Sequence, residues 1–241
     1  MDQIRFEIAA ARRILARAGL DPDDIAGQVT ARAVDEDAIW ATPLGLFDDT
    51  FPDDVVKLPF GTKTTDGRVI HVAGAPVPVS TASAWVEAIY RARSDVNCVI
   101  HTHAPHIGAV ATTGDVVQLY NNRSLIFYDE QAFYDDDGTH TDSPQRIVAA
   151  LGSRSVLIMR NHGAVVTGES VPVATAATVL LEAAARFQVL GMAAGGTPFA
   201  DHEGFAQRKR PHRANLDLVW DAHLRRLRHT DPALFEVHTL A

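Results

Sequence analysis

Val96-Asn97-Cys98-Val99-Ile100-His101-Thr102-His103 is the stretch on which the reading of this chain turns. Its apolar, β-branched run reads as a buried strand, and side chains on a strand alternate between faces, so His101 and His103 point the same way. A second stretch repeats the layout: Ser155-Val156-Leu157-Ile158-Met159 is apolar, and Arg160-Asn161-His162-Gly163 follows where that strand leaves its sheet. In sheets flanked by helices, ligands collect at such strand ends. Three imidazoles meeting at one rim make a metal site with an open position, because catalytic zinc keeps about three protein ligands and a water. The pattern therefore predicts one divalent metal ion held by His101, His103 and His162. A His-x-His pair by itself also occurs as ordinary hydrogen-bonded or surface histidines; the second stretch is what points to a metal.

Outward from these stretches, Asp2 caps an expected helix over residues 3–18, with Ile4, Ile8 and Leu15 on one side and Gly19 at its end. Short alternating strands follow at 29–33 and 38–42, then an irregular stretch over 47–65 broken by Pro52, Pro59 and Gly61. Asp66-Gly67 makes a hairpin turn before a strand at 68–72. Ser80 caps a helix over 81–93 whose Trp85 and Ile89 face inward, and that helix start suits an anion as well as simple capping. Pro105 opens a helix to about residue 113, and 124–127 reads as a strand. Ser143-Pro144 starts a helix closed by Gly152. Residues 164–167 form a strand, and Ser170 caps a long helix to about Gly191, too apolar all round to stand in solvent. Gly195-Gly196 then opens a joint to an Arg-rich helical tail over 202–228, in which Arg208-Lys209-Arg210 reads as a solvated face.

At 241 residues, 46% of them hydrophobic, the chain suits one α/β domain with a sizeable core. A net charge of -8 argues against a general nucleic-acid surface, which needs clustered Lys and Arg. The single cysteine, Cys98, excludes an intrachain disulfide and sits in the apolar strand as a packed thiol, which points to a reducing compartment. No N-terminal stretch reads as a signal peptide and no run reads as a membrane span, so the expectation is a cytoplasmic protein with no membrane and no nucleic acid among its partners.

His-Thr-His-Ala-Pro-His at 101–106, preceded by Arg93-Ser94-Asp95-Val96-Asn97-Cys98-Val99-Ile100 and followed later by Arg-Asn-His-Gly, resembles the class II aldolase/adducin family from the first helix to about Gly191. The resemblance implies a three-layer α/β/α sandwich with a central, mainly antiparallel mixed sheet, one domain over 1–241 with a helical tail from about 200, and a homotetramer with sites near subunit boundaries. It assigns His101, His103 and His162 to a zinc ion, with iron or manganese as the other candidates, that polarises a ketone and stabilises an enediolate on a small hydroxy-carbonyl or sugar-type substrate.

In the family's sugar-phosphate aldolases a Gly-Asn-x-Ser stretch and a Thr-Pro-x-Gly stretch help hold the substrate phosphate. The matching positions here are Gly27-Gln28-Val29-Thr30 and Thr42-Pro43-Leu44-Gly45, so the resemblance gives Gln28, Thr42 and Gly45 to the substrate; Ser80 and Thr81, where the family's Ser-Ser pair falls, join them as the hydroxyls of the helix start that suits an anion. Gln28 is one methylene longer than the usual Asn, which weakens the case for a phosphate. The catalytic Glu that follows the Ser-Ser pair falls on Ala82, and a methyl cannot carry a proton. A tyrosine also donates a proton in those aldolases, and Tyr134 is the residue chosen for it here. The lead expectation is a metal-dependent carbon-carbon lyase. Beside it stand a non-haem iron oxygenase or a 2-oxo acid decarboxylase on the same fold, and a binding module without catalysis like the adducin head.

Overall fold

The computed structural model describes residues 3–20, 27–45, 48–62, 69–72, 75–78, 83–135, 143–200 and 204–239. Helix α1 (Gln3–Arg17) buries Phe6, Ile8, Ile14 and Leu15 and ends where Gly19 takes a positive φ of 73°. Strands β1 (Gln28–Arg32), β2 (Ala38–Ala41) and β3 (Val56–Pro59) follow, then the separate antiparallel ribbon of β4 (Val69–Val72) and β5 (Ala75–Pro78). Helix α2 (Ser83–Ala92) leads into β6 (Cys98–Thr102), the strand that carries His101, and α3 (Pro105–Ala111) comes directly after it. Then come β7 (Gln131–Tyr134), α4 (Pro144–Leu151), the hairpin of β8 (Val156–Met159) and β9 (Gly163–Gly168), and the long α5 (Val171–Ala193). The tail forms α6 (Phe205–Arg213), α7 (Leu216–Thr230) and α8 (Ala233–Thr239).

Seven strands make one sheet in the order β3-β2-β1-β6-β9-β8-β7, antiparallel throughout except for the parallel β7–β8 pair. Alternation along the central strands divides the core. Cys98 and Ile100 of β6, Val29 and Ala31 of β1, and Ala164 and Val166 of β9 pack with α1, α3, α5 and α7. Val99, Val165 and Leu157 pack on the other face with Trp85, Ile89 and Tyr90 of α2 and Ile147 and Leu151 of α4. The result is the expected mixed, mainly antiparallel sheet between two helical layers. Cys98 is fully buried as expected, and burial pushes its thiol far up.

Several expectations need correction. Residues 124–127 form part of a 3-10 turn (Asn122–Phe127), because the Asn121 side chain accepts the N–H groups of Arg123 and Ser124 and curls the chain. The stretch taken as irregular contains β3, an edge strand that tolerates Pro59 because an edge position leaves one side of the backbone unpaired. β7 was hidden by its short length; its parallel pairing with β8 is a tertiary event. Helix α5 is long and apolar enough to cross a membrane by length and composition, contrary to the expectation that no run is. Half of that stretch is buried inside the fold, where α5 also carries the buried Thr175, Thr178, Glu182 and Gln188. The cap at Asp2, the turn at Asp66-Gly67, the helix start at Ser80-Thr81 with Ala82, and His202 lie outside the described residues.

The basic run of the tail is more than a solvated face: Lys209 Nζ sits 2.8 Å from Glu130 Oε1 and 2.9 Å from the Tyr128 carbonyl oxygen. Burial pushes the Glu130 carboxyl up, but Lys209, Ser155 and Arg213 outweigh it and hold it below the usual carboxylate range. A carboxyl depressed in the folded state stabilises above its unfolded value of about 4.3, and that contribution fades as pH falls through the lower folded value. Acidification below about pH 4 is therefore expected to loosen α6 first, by about 1 kcal/mol for a pair that keeps partial contact with solvent. Hydrogen exchange of the α6 amides as a function of pH checks this.

Candidate metal centre

The site is assembled at one end of β6 and β9. His101 is the penultimate residue of β6, paired with Gln28 of β1 on one side and Val165 of β9 on the other. It shares the α2 and α4 face with Val99, and the Trp85 ring meets its imidazole edge-on at a centroid distance of 5.2 Å. His103 follows one residue after β6 ends. His162 stands in the three-residue loop Arg160-Asn161-His162 that joins β8 to β9, closed by the Met159–Gly163 pair. Asn161 takes the left-handed conformation, φ 52°, which Asn tolerates better than most residues, and the His162 N–H donates to the Met159 carbonyl at 3.1 Å. Arg160 is held away from the site by an ion pair with Asp135 and by stacking over Phe133 at 5.4 Å.

Gly163 makes the convergence possible. A Cβ at this position would lie 2.1 Å from the Thr102 carbonyl oxygen and 3.2 Å from the His103 Cα, so only a residue without a side chain lets β9 come this close to the end of β6. His162 is thereby brought against His103, their rings stacked at 22° and their Nε2 atoms 3.0 Å apart. His101 stands perpendicular to both, with centroids 4.6 and 4.9 Å away. One ligand atom from each of the three histidines falls within 4.8 Å of the other two.

This donor set fits a metal. Two nitrogens bound at about 2.0–2.1 Å, with an angle of about 90–110° at the ion, are separated by about 2.9–3.4 Å, and the His103–His162 spacing falls in that interval. Two neutral imidazoles whose lone pairs face each other at this distance repel unless a proton or a cation lies between them. His101 Nδ1 donates to the Ala164 carbonyl at 3.1 Å, which fixes the tautomer and leaves Nε2 with its lone pair for a ligand bond, as metal-binding histidines commonly arrange. Burial, then the neighbouring His103 and His162, pull the His101 pKa well below its ordinary value, so the ring is neutral.

The substrate positions drawn from sequence fare unequally. Gln28 is 4% exposed and points to the same face as His101, and its Nε2 has no hydrogen-bond partner among the described residues. Thr42 is buried just past the end of β2, and its Oγ1 is likewise unpartnered among the described residues. Gly45 takes φ 81°, with open space where a side chain would go. Ser80 and Thr81 lie outside the described residues. Tyr134 is buried against the second core beneath Arg146, on β7, three strands from β6 and so about 14 Å across the sheet. Sequence reasoning missed the Ala164 carbonyl, which only strand pairing supplies. It read Trp85 as an inward helix residue without seeing that it would meet His101.

The comparisons agree with this geometry. The class II aldolase and adducin N-terminal domain matches residues 6–189. The 4-hydroxy-3-prenylphenylpyruvate oxygenase/4-hydroxy-3-prenylbenzoate synthase of Streptomyces roseochromogenus subsp. oscitans is 32% identical over 200 residues, 80% of this chain and 69% of that protein. Human beta-adducin is 33% identical over 135 residues, which are 54% of this chain and 18% of that protein. Among solved structures, the L-fuculose 1-phosphate aldolase from Glaciozyma antarctica PI12 shares the fold with a TM-score of 0.81 at 23% identity, covering 95% of this chain and 90% of that one. With the sheet, the histidine cluster and a match over most of its length in agreement, the chain belongs to the class II aldolase and adducin family.

Proposed function

We propose that this chain is a metal-dependent enzyme that breaks or forms a carbon-carbon bond next to the carbonyl of a small hydroxy-carbonyl compound or 2-oxo acid. The observation that carries the reading is the convergence of three imidazoles, one of them buried and neutral, beside a buried amide with an unspent donor. A divalent cation held by His101, His103 and His162, zinc in the lead reading, supplies a Lewis acid for the substrate carbonyl, where negative charge develops as the neighbouring bond breaks. Gln28 Nε2 donates to a substrate oxygen, and Trp85 screens one side of His101 from water.

The neutral amide of Gln28 suits a carbonyl or carboxylate oxygen better than a phosphate dianion. Ala82 removes the acid/base of the sugar-phosphate aldolases, so proton transfer falls to another group, and Tyr134's buried position supports a packing role for that residue. The same Ala82, together with the prenylphenylpyruvate oxygenase among the relatives, favours a second reading: iron in the same three histidines and oxidative shortening of a 2-oxo acid. The proposal includes a cytoplasmic homotetramer, and the lone buried thiol supports a reducing compartment.

Protein purified without added ions, analysed for metals and assayed on hydroxy-carbonyl and 2-oxo acid panels with and without oxygen, tests the reading. Zinc or manganese with oxygen-independent cleavage supports the lyase, and iron with oxygen uptake supports the oxygenase. A chain that takes up no transition metal is an adducin-like binding module, and the enzymatic reading fails.

Gln28→Met offers a separate check. Replacing a buried amide whose Nε2 is unpaired among the described residues by an apolar side chain of similar shape is expected to stabilise the fold by about 1 kcal/mol, a rise of about 2–4 °C in Tm, while KM increases. An unchanged KM would remove Gln28 from the substrate site.

A further inference from the structure

Helix α3 begins without a cap of its own. Ala104 at its N-cap has no side chain able to accept a hydrogen bond, and Pro105 has no N–H to offer. The next two N–H groups, those of His106 and Ile107, both donate to the carboxylate of Glu182, at 3.1 Å to Oε1 and 3.0 Å to Oε2. His106 Nδ1 lies 2.5 Å from the same Oε1. The carboxylate comes from the middle of α5, 75 residues further along, and Glu182 is only 8% exposed on a helix otherwise built of Ala, Val, Leu and Thr around it. An ionised carboxyl is costly to bury unless its oxygens are satisfied, and here three donors converge on it.

The segment that Glu182 holds is the one that carries His103. On its N-terminal side Thr102 is fixed by its own hydroxyl, which donates to the Leu20 carbonyl at 3.1 Å and accepts the Ala104 N–H at 3.2 Å. Glu182 fixes the other side, three residues beyond His103. Between these two anchors the His103 backbone has little freedom, and Gly163 presses on it from β9.

We infer that Glu182 is a positioning residue for the metal centre: a cap borrowed from α5 that sets the aim of the His103 imidazole, with His106 as its partner. The inference rests on the proposed metal site and goes beyond it, since neither Glu182 nor His106 is placed as a ligand. It explains why an acid interrupts the most apolar helix of the chain. It also gives α5 a part in holding the site from the opposite face of the sheet.

The test is zinc affinity of the full chain, measured by competition with a chromophoric chelator, alongside thermal denaturation. In Glu182→Gln the amide turns donor N–H groups toward the donor N–H groups of α3, so one contact becomes repulsive while the side-chain volume is kept. Zinc affinity is expected to fall about 10–100-fold, the usual effect of losing a partner that orients a ligand. His106→Ala, which removes one donor of the three, is expected to lower it less than 10-fold.

Thr178→Ala is the control for a purely structural effect. Thr178 lies one turn earlier on α5, buried, with its hydroxyl bonded to the Ala174 carbonyl at 2.8 Å, and its loss is expected to lower Tm with zinc affinity unchanged. Glu182→Gln and Glu182→Ala that lose Tm but bind zinc within threefold of the wild-type chain would overturn the inference. A wild-type chain that binds no zinc, iron or manganese overturns the metal reading itself, and this inference with it.

Discussion

Gly163→Ala is expected to cost the fold about 3 kcal/mol or more and to abolish metal binding. The added methyl would sit 2.1 Å from the Thr102 carbonyl oxygen, 3.1 Å from the Thr102 carbonyl carbon and 3.2 Å from the His103 Cα. All three are backbone atoms, so no side-chain rotation can relieve the clash, and the cost exceeds the usual 1–3 kcal/mol for overpacking a core. Relief requires β9 to part from β6 at the Thr102–Ala164 pair, the step that also holds the Ala164 carbonyl against His101 and brings His162 to His103. Tm and metal content should therefore fall together. Gly108→Ala is the matched control: Gly108 is in α3 with nothing within 4 Å of its added methyl, and alanine in a helix gains up to about 1 kcal/mol over glycine. Wild-type Tm and metal content in Gly163→Ala would show that the strands do not meet as described.

His162→Ala is expected to separate metal binding from folding. His162 is partly exposed in a hairpin loop whose geometry is set by Asn161 and by the Met159–Gly163 pair, so the fold should lose less than about 1 kcal/mol. Metal affinity should drop by about 10²–10³, the share of one ligand when the roughly 10–16 kcal/mol of a four-ligand site is divided among its members. The proposed activity should fall with it. His103→Ala is expected to behave in the same way, whereas His101→Ala should also cost stability because that ring is buried against Trp85. Retention of both metal and activity in His162→Ala would remove this histidine from the site.

The reading of the sequence succeeded where one local pattern suffices. Period-2 alternation in β6 and the polar exit of β8 marked the histidines, Ser170 and Gly19 marked helix ends, and each signal lies within a few residues of what it reports. It missed β3, β5 and β7, which are four residues each, too short for a clear alternation, and owe their strand conformation to pairing with β2, β4 and β8. It read 124–127 as a strand because Leu125, Ile126 and Phe127 are apolar, when the deciding residue is Asn121, whose side chain turns the backbone before the apolar run begins.

Residue types and their spacing were enough to determine which imidazoles could act together, that His101 and His103 point the same way, and that Ala82 holds no acid. They could not determine that His101 Nδ1 is committed to Ala164, that Gln28 and Thr42 are buried with unspent polar atoms, or that Glu182 caps α3 across the fold. Those facts depend on strand register and helix packing between residues 60–80 positions apart, and such contacts exist only once the chain has closed on itself.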